Sequence, residues 1–451
     1  MGDKPIVVIG AGCAGLAATY TLKNAGVDVL ALEAGDRPGG RCWNVRRDGF
    51  LIPLGAGLTE TQWATTHRFV RELGIADQAH EVDNLRVAFW RDGRLHFILK
   101  GTSLEMAKNI PEMLRFRGWP LKAYPQAVGL GLTMWRYMRK LDPVTRDFEP
   151  LLELGNVSSA QFALEHGGFE ILDHFISPVL GTMVLARPEE VAISHLIALA
   201  FLAGGVCVME NGMGSINEGL YDKVKDDVRL STPVTKVVIE GGLVRGVETP
   251  EGFIEADQVI CATDAVVARR IIPDLPGTIR KPLETCEYSA TYNYVFALEK
   301  KITPEYFVAT LIPGSERSIL SAIFEIAGGD VKTAPEGAGL FDCFTAGWHD
   351  EGLAQLTEDE RRRAVIREVQ KFWPEFPGEP YFTECIRWDR AITRAVPRYT
   401  RLPEAPLPRR EGPLPGGGVP LPHRLHGRRL RHRSERGQDG AGRHVGFWCA
   451  A

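Results

Sequence analysis

The sequence is poor in the features that mark several protein classes. It contains no run approaching ~20 uninterrupted apolar residues, so no transmembrane helix is expected. Its eight cysteines (Cys13, Cys42, Cys207, Cys261, Cys286, Cys343, Cys385 and Cys449) are scattered. No two make a C-x-x-C pair and no Cys/His spacing reads as a metal site, so no metal is expected. That usage favours buried thiols in a reducing compartment. The amino terminus has no basic stretch followed by an apolar one, so no secretory signal is expected and the chain reads as cytoplasmic. Charge of one sign is also lacking. A net charge of -4 over 451 residues argues against a nucleic-acid partner. The length allows two or three domains with substantial cores.

What is present begins in the first forty residues. Ile6 to Ile9 is a β-branched run without charge, as in a buried parallel strand. Gly10-Ala11-Gly12-Cys13-Ala14-Gly15 follows, then a helical stretch ending near Gly26. Val27 to Leu32 is a second strand, closed by Glu33 and Ala34. Strand, glycine turn, helix, strand and acid stand in the order of a dinucleotide site. Gly10 permits the tight turn, Gly12 lets the backbone approach a pyrophosphate, and Gly15 lets helix and strand pack closely. The helix N-terminus offers unpaired N–H groups to phosphate. Glu33 is an acceptor for ribose hydroxyls. A second glycine pair, Gly39-Gly40, precedes Arg41, which can pair with a phosphate.

Through the glycine turn, Glu33 and Gly39-Gly40-Arg41, the sequence resembles the flavoprotein superfamily of amine oxidases, protoporphyrinogen oxidases and phytoene-type carotenoid desaturases. The resemblance implies FAD as cofactor. It also implies that Gly55-Ala56-Gly57-Leu58 passes close to the flavin ring. Pro53 stands where that family often has an acid. Gly212-Met213-Gly214 and the helix after it resemble a further family element. Val234 matches the valine whose backbone holds the adenine, and Ala262 ends a strand lying against the cofactor. Arg387-Trp388 resembles a strand that re-enters the FAD domain.

The fold expected is α/β: a discontinuous, Rossmann-like FAD-binding domain with an inserted α+β substrate domain. The FAD domain comprises residues 1–85, 204–270 and 385–402. The substrate domain comprises a helical cap, 86–203, and an antiparallel sheet with a helix, 271–384. Asp92-Gly93 between two β-rich runs predicts a hairpin. Leu104 to Lys140 reads as helix broken at Pro111, Pro120 and Pro125. Its basic and aromatic mixture suits either a solvated cap or a lipid surface. Glu358 to Phe372 reads as a helix capped by Thr357. His166, His174 and His195 read as structural, with no partner acid identifiable.

Residues 403–451 differ from the rest. They contain no Lys, Ile, Asn or Tyr and are rich in Arg, Pro and Gly. The resemblance implies instead a final strand, a Gly-Asp and a small-residue helix meeting the pyrophosphate. The expectation is an out-of-frame translation beginning between Leu402 and Gly418, a sheet lacking one strand, and weakened FAD binding. A natural basic tail is the alternative.

The function implied is a FAD-dependent oxidoreductase. It would take a hydride from a largely apolar, lipophilic small molecule, an isoprenoid, polyene or porphyrinogen, with O2 or a quinone as electron acceptor. Peripheral membrane association accompanies that reading. A flavin amine oxidase, a NAD-binding dehydrogenase and a non-catalytic relative stay open. No residue identifies itself as catalytic.

Overall fold

The computed structural model describes residues 4–82, 85–99, 117–141, 148–202, 204–303, 307–327, 331–397 and 446–447. Five short strands build a parallel sheet: β1 (Ile6–Ile9), β2 (Val29–Leu32), β3 (Val228–Arg229), β4 (Val259–Cys261) and β5 (Gly446–Phe447). Their order is β3-β2-β1-β4-β5, and every pairing is parallel. Val7 and Val8 in β1 are fully buried, as expected where helices or loops cover both faces. Helix α1 (Cys13–Asn24) and helix α2 (Gly214–Val224) lie against this sheet. Leu16, Ile216 and Leu220 share one core with Val8 and Ala31.

β5 corrects one expectation. The sheet was expected to lack its last strand, yet residues 446–447 of the tail pair alongside Ile260 and Cys261. A two-residue strand needs only a backbone in register, so the unusual composition does not prevent it. The remainder of 403–451 lies outside the described residues.

A second sheet has seven strands, in the order 382–394, 287–298, 339–345, 320–325, 307–311, 85–91, 94–99. All neighbours are antiparallel except 307–311 and 85–91. The hairpin expected at Asp92-Gly93 forms with a two-residue loop, both residues at positive φ (51° and 74°). The strand Phe382–Arg394, expected to return to the first domain, pairs along Glu287–Leu298 in this sheet and meets Arg41 through its Arg390 and Ala391 carbonyls.

One face of this sheet packs on the helix Glu358–Phe372 through Tyr294, Phe296, Val365 and Val369. That helix has the expected limits and a complete capping box between Thr357 and Glu360. The other face buries Val295, Ala297 and Leu340 against Phe50, Ile52 and Leu54. It also buries a polar pair: the Asn293 amide donates to Asp342 Oδ1, while Asn293 Oδ1 has no partner. Burial pushes the Asp342 carboxyl up to about 8, with the Asn293 bond opposing.

Helices Ala123–Met138, Ser159–His166, Ser177–Val184 and Ile193–Leu202 form a third layer around Phe162, Ile171, Leu180 and Ile197. Pro125 does not break its helix. It falls in the first turn, where no intrahelical donor is lost. The expected breaks at Pro111 and in the rest of 100–116 lie outside the described residues.

Candidate cofactor site

The parallel strands deliver their carboxyl ends to one place. After Ile9 the chain turns at Gly10, whose φ of +98° suits glycine alone. A Cβ on Gly15 would fall 1.8 Å from the Gly10 carbonyl oxygen, so α1 can pack on the turn only because position 15 has no side chain. Gly12 differs from both. A Cβ there would meet nothing nearer than Gly40 Cα, 3.9 Å away, so the protein itself leaves that space open. Gly12 is the N-cap of α1, no side chain caps the helix, and its first turn holds no acid. The mouth therefore presents N–H groups and the positive end of a helix dipole, which is a cradle for an anion.

Glu33 is turned toward this mouth. Its Oε2 accepts from Ala11 N at 2.7 Å and its Oε1 from Gly35 N at 2.8 Å. Beside it Ala34 is exposed. Thr232 N donates to Glu33 O, which lays the turn leading to Val234 against the same corner. Val234 itself is half-buried on the core below. From the other side Ala262 N donates to Ile9 O. Ala14 is half-buried at the mouth, and Cys13 follows Gly12 there as the first residue of α1.

Gly39 forms a parallel bridge with Gly12, and Gly39 N donates to Ala11 O at 2.8 Å. Gly40, at φ +55°, faces Gly12 directly. Arg41 binds across to the second sheet. Its Nη1 donates to the carbonyls of Arg390 (3.2 Å) and Ala391 (2.8 Å), both on the bulge that interrupts the register of Phe382–Arg394. The Arg41 carbonyl in turn accepts from Ala56 N, and a Cβ on Gly55 would lie 2.1 Å from it. Trp388 comes within 3.6 Å of that same point. Gly57 lies over Pro53, and Leu58 is half-buried against the core shared with Ile386. All the sequence-derived positions thus surround one mouth or the loop leading from it to the second sheet.

Three residues of the site were not among the candidates. Asn217 is buried on α2 and donates from Nδ2 to Cys13 Sγ and to Gly39 O, both at 3.2 Å. A polar residue among the core positions Ile216, Leu220 and Val224 was the available signal. Asn44 Oδ1 accepts from Gly214 N at 2.8 Å, and its side chain fills the space that Cβ atoms on Gly212 and Gly214 would need. Nothing in the local sequence marks Asn44. The neighbouring Cys42 thiol is the main influence bringing Cys13 down to about 6, with burial opposing and Asn217 assisting, while the Cys42 thiol itself moves up. Away from this site, His195 Nδ1 accepts from Ala395 N, a structural role. His174 does have acids nearby: Asp173 Oδ2 is 3.3 Å from its Nδ1. One turn of helix earlier, Glu170 Oε2 lies 4.0 Å from the same nitrogen.

The model of the family described as flavin containing amine oxidoreductase matches residues 13–420. The chain belongs to that family. Among curated members, it is 25% identical over 345 residues to a zeta-carotene-forming phytoene desaturase of Myxococcus xanthus, covering 71% of this chain. The match spans 65% of the desaturase, less than two thirds of its length. It is 22% identical over 459 residues to a coproporphyrinogen III oxidase of Propionibacterium freudenreichii subsp. freudenreichii, covering 88% of this chain and 81% of that one. Among solved structures, a wild-type putrescine oxidase bound to putrescine shares the fold with a TM-score of 0.69 at 17% identity, covering 85% and 84% of the two chains. The flavin amine oxidoreductases are the family that the motifs resemble, and FAD is the cofactor they imply. The residues here fit it. The open space over Gly12 and the uncapped helix mouth suit a pyrophosphate, and the Glu33 carboxylate stands at the end of β2 beside it.

Proposed function

We propose that this chain is a FAD-dependent oxidoreductase of largely apolar substrates, an isoprenoid, polyene or porphyrinogen, with O2 or a quinone as electron acceptor. Bound FAD would supply the hydride acceptor at flavin N5. The Rossmann-like FAD domain is discontinuous, and the substrate domain is inserted into it. Gly10, Gly12, Cys13, Ala14 and Gly15 hold the pyrophosphate with backbone groups. Glu33 and Ala34 serve the ribose, Val234 the adenine. Gly39, Gly40, Arg41, Gly55, Ala56, Gly57, Leu58 and Ala262 border the rest of the cofactor. The substrate domain contributes position and exclusion of water.

The observation that carries this reading is Trp388, whose ring stands 3.6 Å from where a Cβ on Gly55 would fall. It joins the loop leading from the cofactor mouth to the sheet face that holds Ile386 and Phe324, so the wall next to the cofactor is apolar and aromatic. An apolar, aromatic wall suits hydride transfer from the C–H bond of an apolar substrate. Turnover with an artificial electron acceptor across desaturase, porphyrinogen and amine substrates tests it. Reaction confined to amines would replace it with a flavin amine oxidase, and reaction with none would leave a non-catalytic relative.

A specific feature supports association with a lipid surface. Leu121, Val128, Leu132 and Trp135 are each more than half exposed and lie at heptad-like spacing on one side of the segment containing helix Ala123–Met138. Lys122, Arg136, Arg139 and Lys140 flank them. An apolar stripe rimmed by cations suits an anionic interface. No helix among the described residues is long and apolar enough to cross a membrane. Flotation with anionic vesicles, lost in a Leu132→Glu/Trp135→Glu chain, is the expected result.

A further inference from the structure

We propose that Asn217 is a positioning residue for the cofactor: its amide ties the second glycine loop to the start of α1 and so sets the gap at Gly12 that receives the pyrophosphate. Asn217 lies near the start of α2 and is 4% exposed, among the buried Ile216, Leu220 and Val224. An amide in such a core is costly unless it is hydrogen-bonded. Its bonds leave its own helix. Nδ2 donates to Gly39 O and to Cys13 Sγ, both at 3.2 Å, across 178 and 204 positions of sequence. An amide nitrogen carries two hydrogens, and these two bonds use both.

Gly39 packs directly on this amide. A Cβ there would lie 3.6 Å from both Cβ and Nδ2 of Asn217. Gly39 also bridges to Gly12, and its N–H donates to Ala11 O at 2.8 Å. The next residue, Gly40, faces Gly12, with a Cβ at 40 falling 3.2 Å from Gly12 Cα. Cys13, the other acceptor, follows Gly12 as the first residue of α1. One side chain therefore grips both sides of the opening. Backbone N–H groups hold a pyrophosphate best at a fixed spacing, and a site already at that spacing has less to order on binding. This clamp is separable from the fold. Gly39 O accepts a second bond, from Cys42 N at 3.1 Å, so removing the amide leaves no orphaned carbonyl there. The Cys42 bond is internal to the turn and does not anchor it to α2. A leucine at 217 has nearly the shape of the asparagine and would join the apolar core around it. The proposal rests on the cofactor-site reading above.

The test compares the full chain with its Asn217→Leu and Asn217→Ala variants. Urea unfolding and peptide hydrogen exchange are measured without FAD, and FAD titration is followed by flavin fluorescence. For Asn217→Leu the urea midpoint should hold. Amides of residues 39–42 should exchange roughly tenfold faster while those of 287–298 do not change, and the FAD dissociation constant should rise roughly tenfold, the equivalent of one net hydrogen bond. Asn217→Ala should match it in exchange and FAD affinity but with a lower midpoint, from the cavity it leaves. Unchanged exchange at 39–42 in both variants overturns the clamp. Faster exchange there with unaltered FAD affinity overturns its role for the cofactor. Exchange that quickens equally at 39–42 and 287–298 in both variants makes Asn217 a core residue only and overturns the proposal. If the unsubstituted chain takes up no FAD, the cofactor-site reading fails separately, and the exchange comparison still decides the clamp.

Discussion

Arg41 Nη1 donates to the Ala391 carbonyl at 2.8 Å, tying the segment after Gly39-Gly40 to a bulged strand of a different sheet. The bulge frees the carbonyls of Arg390 and Ala391 from ladder bonding, and the guanidinium satisfies both. Arg41→Ala should therefore cost ~1–3 kcal/mol of stability, the penalty of unsatisfied carbonyls. Urea unfolding of the FAD-free protein reads it. An unchanged midpoint would mean that water replaces the guanidinium at no cost.

Two glycine substitutions should separate folding from cofactor binding. Gly15→Ala places a carbon 1.8 Å from the Gly10 carbonyl oxygen and should cost ~1–3 kcal/mol or more in stability. Gly12→Ala has room in the protein alone, so stability should hold while FAD affinity falls by ~1–3 kcal/mol through overpacking against the pyrophosphate. Circular-dichroism melts and flavin absorbance after gel filtration make the comparison. Equal effects of the two variants on both readouts would refute it.

Glu33→Ala removes the acceptor for Ala11 N and Gly35 N. Each charge-assisted bond contributes ~1.5–3 kcal/mol, toward the lower end at this partly exposed site. FAD dissociation, followed by recovery of flavin fluorescence, should quicken. Glu33→Gln should retain part of the effect, since one amide oxygen can still accept.

Asp342 should make stability depend on pH. Its carboxyl is pushed from an ordinary value of 3.8 up to about 8, so the folded state binds the proton more tightly. This contribution is complete below the ordinary carboxylate range and is lost as pH rises toward about 8. Within that window the slope reaches ~1.4 kcal/mol per pH unit. Asp342→Asn should flatten this part of the profile, measured as urea midpoints between about pH 5 and pH 8. Parallel profiles for the two chains would exclude Asp342 as the source.

The chain as written should retain FAD weakly, because the tail lacks the Gly-Asp and small-residue helix that the family resemblance implies. Flavin absorbance after gel filtration should fall well below one per chain. Translating the other two frames of the gene should reveal the missing motif. A firmly retained flavin, or its absence from both frames, removes the frameshift reading.

Local signals in the sequence determined several features. The Asp92-Gly93 hairpin, the Thr357-capped helix, the opening strand-turn-helix and the acid after β2 each depend on residues within a few positions of one another. Only the tertiary structure decided the rest, because it brings together residues hundreds of positions apart. Arg41 is bound at Ala391, Asn217 holds Cys13 and Gly39, and Asn44 fills the space beside Gly212. The strand carrying Trp388 joins Glu287–Leu298, since strand pairing is set by long-range register and shared burial rather than by local propensity.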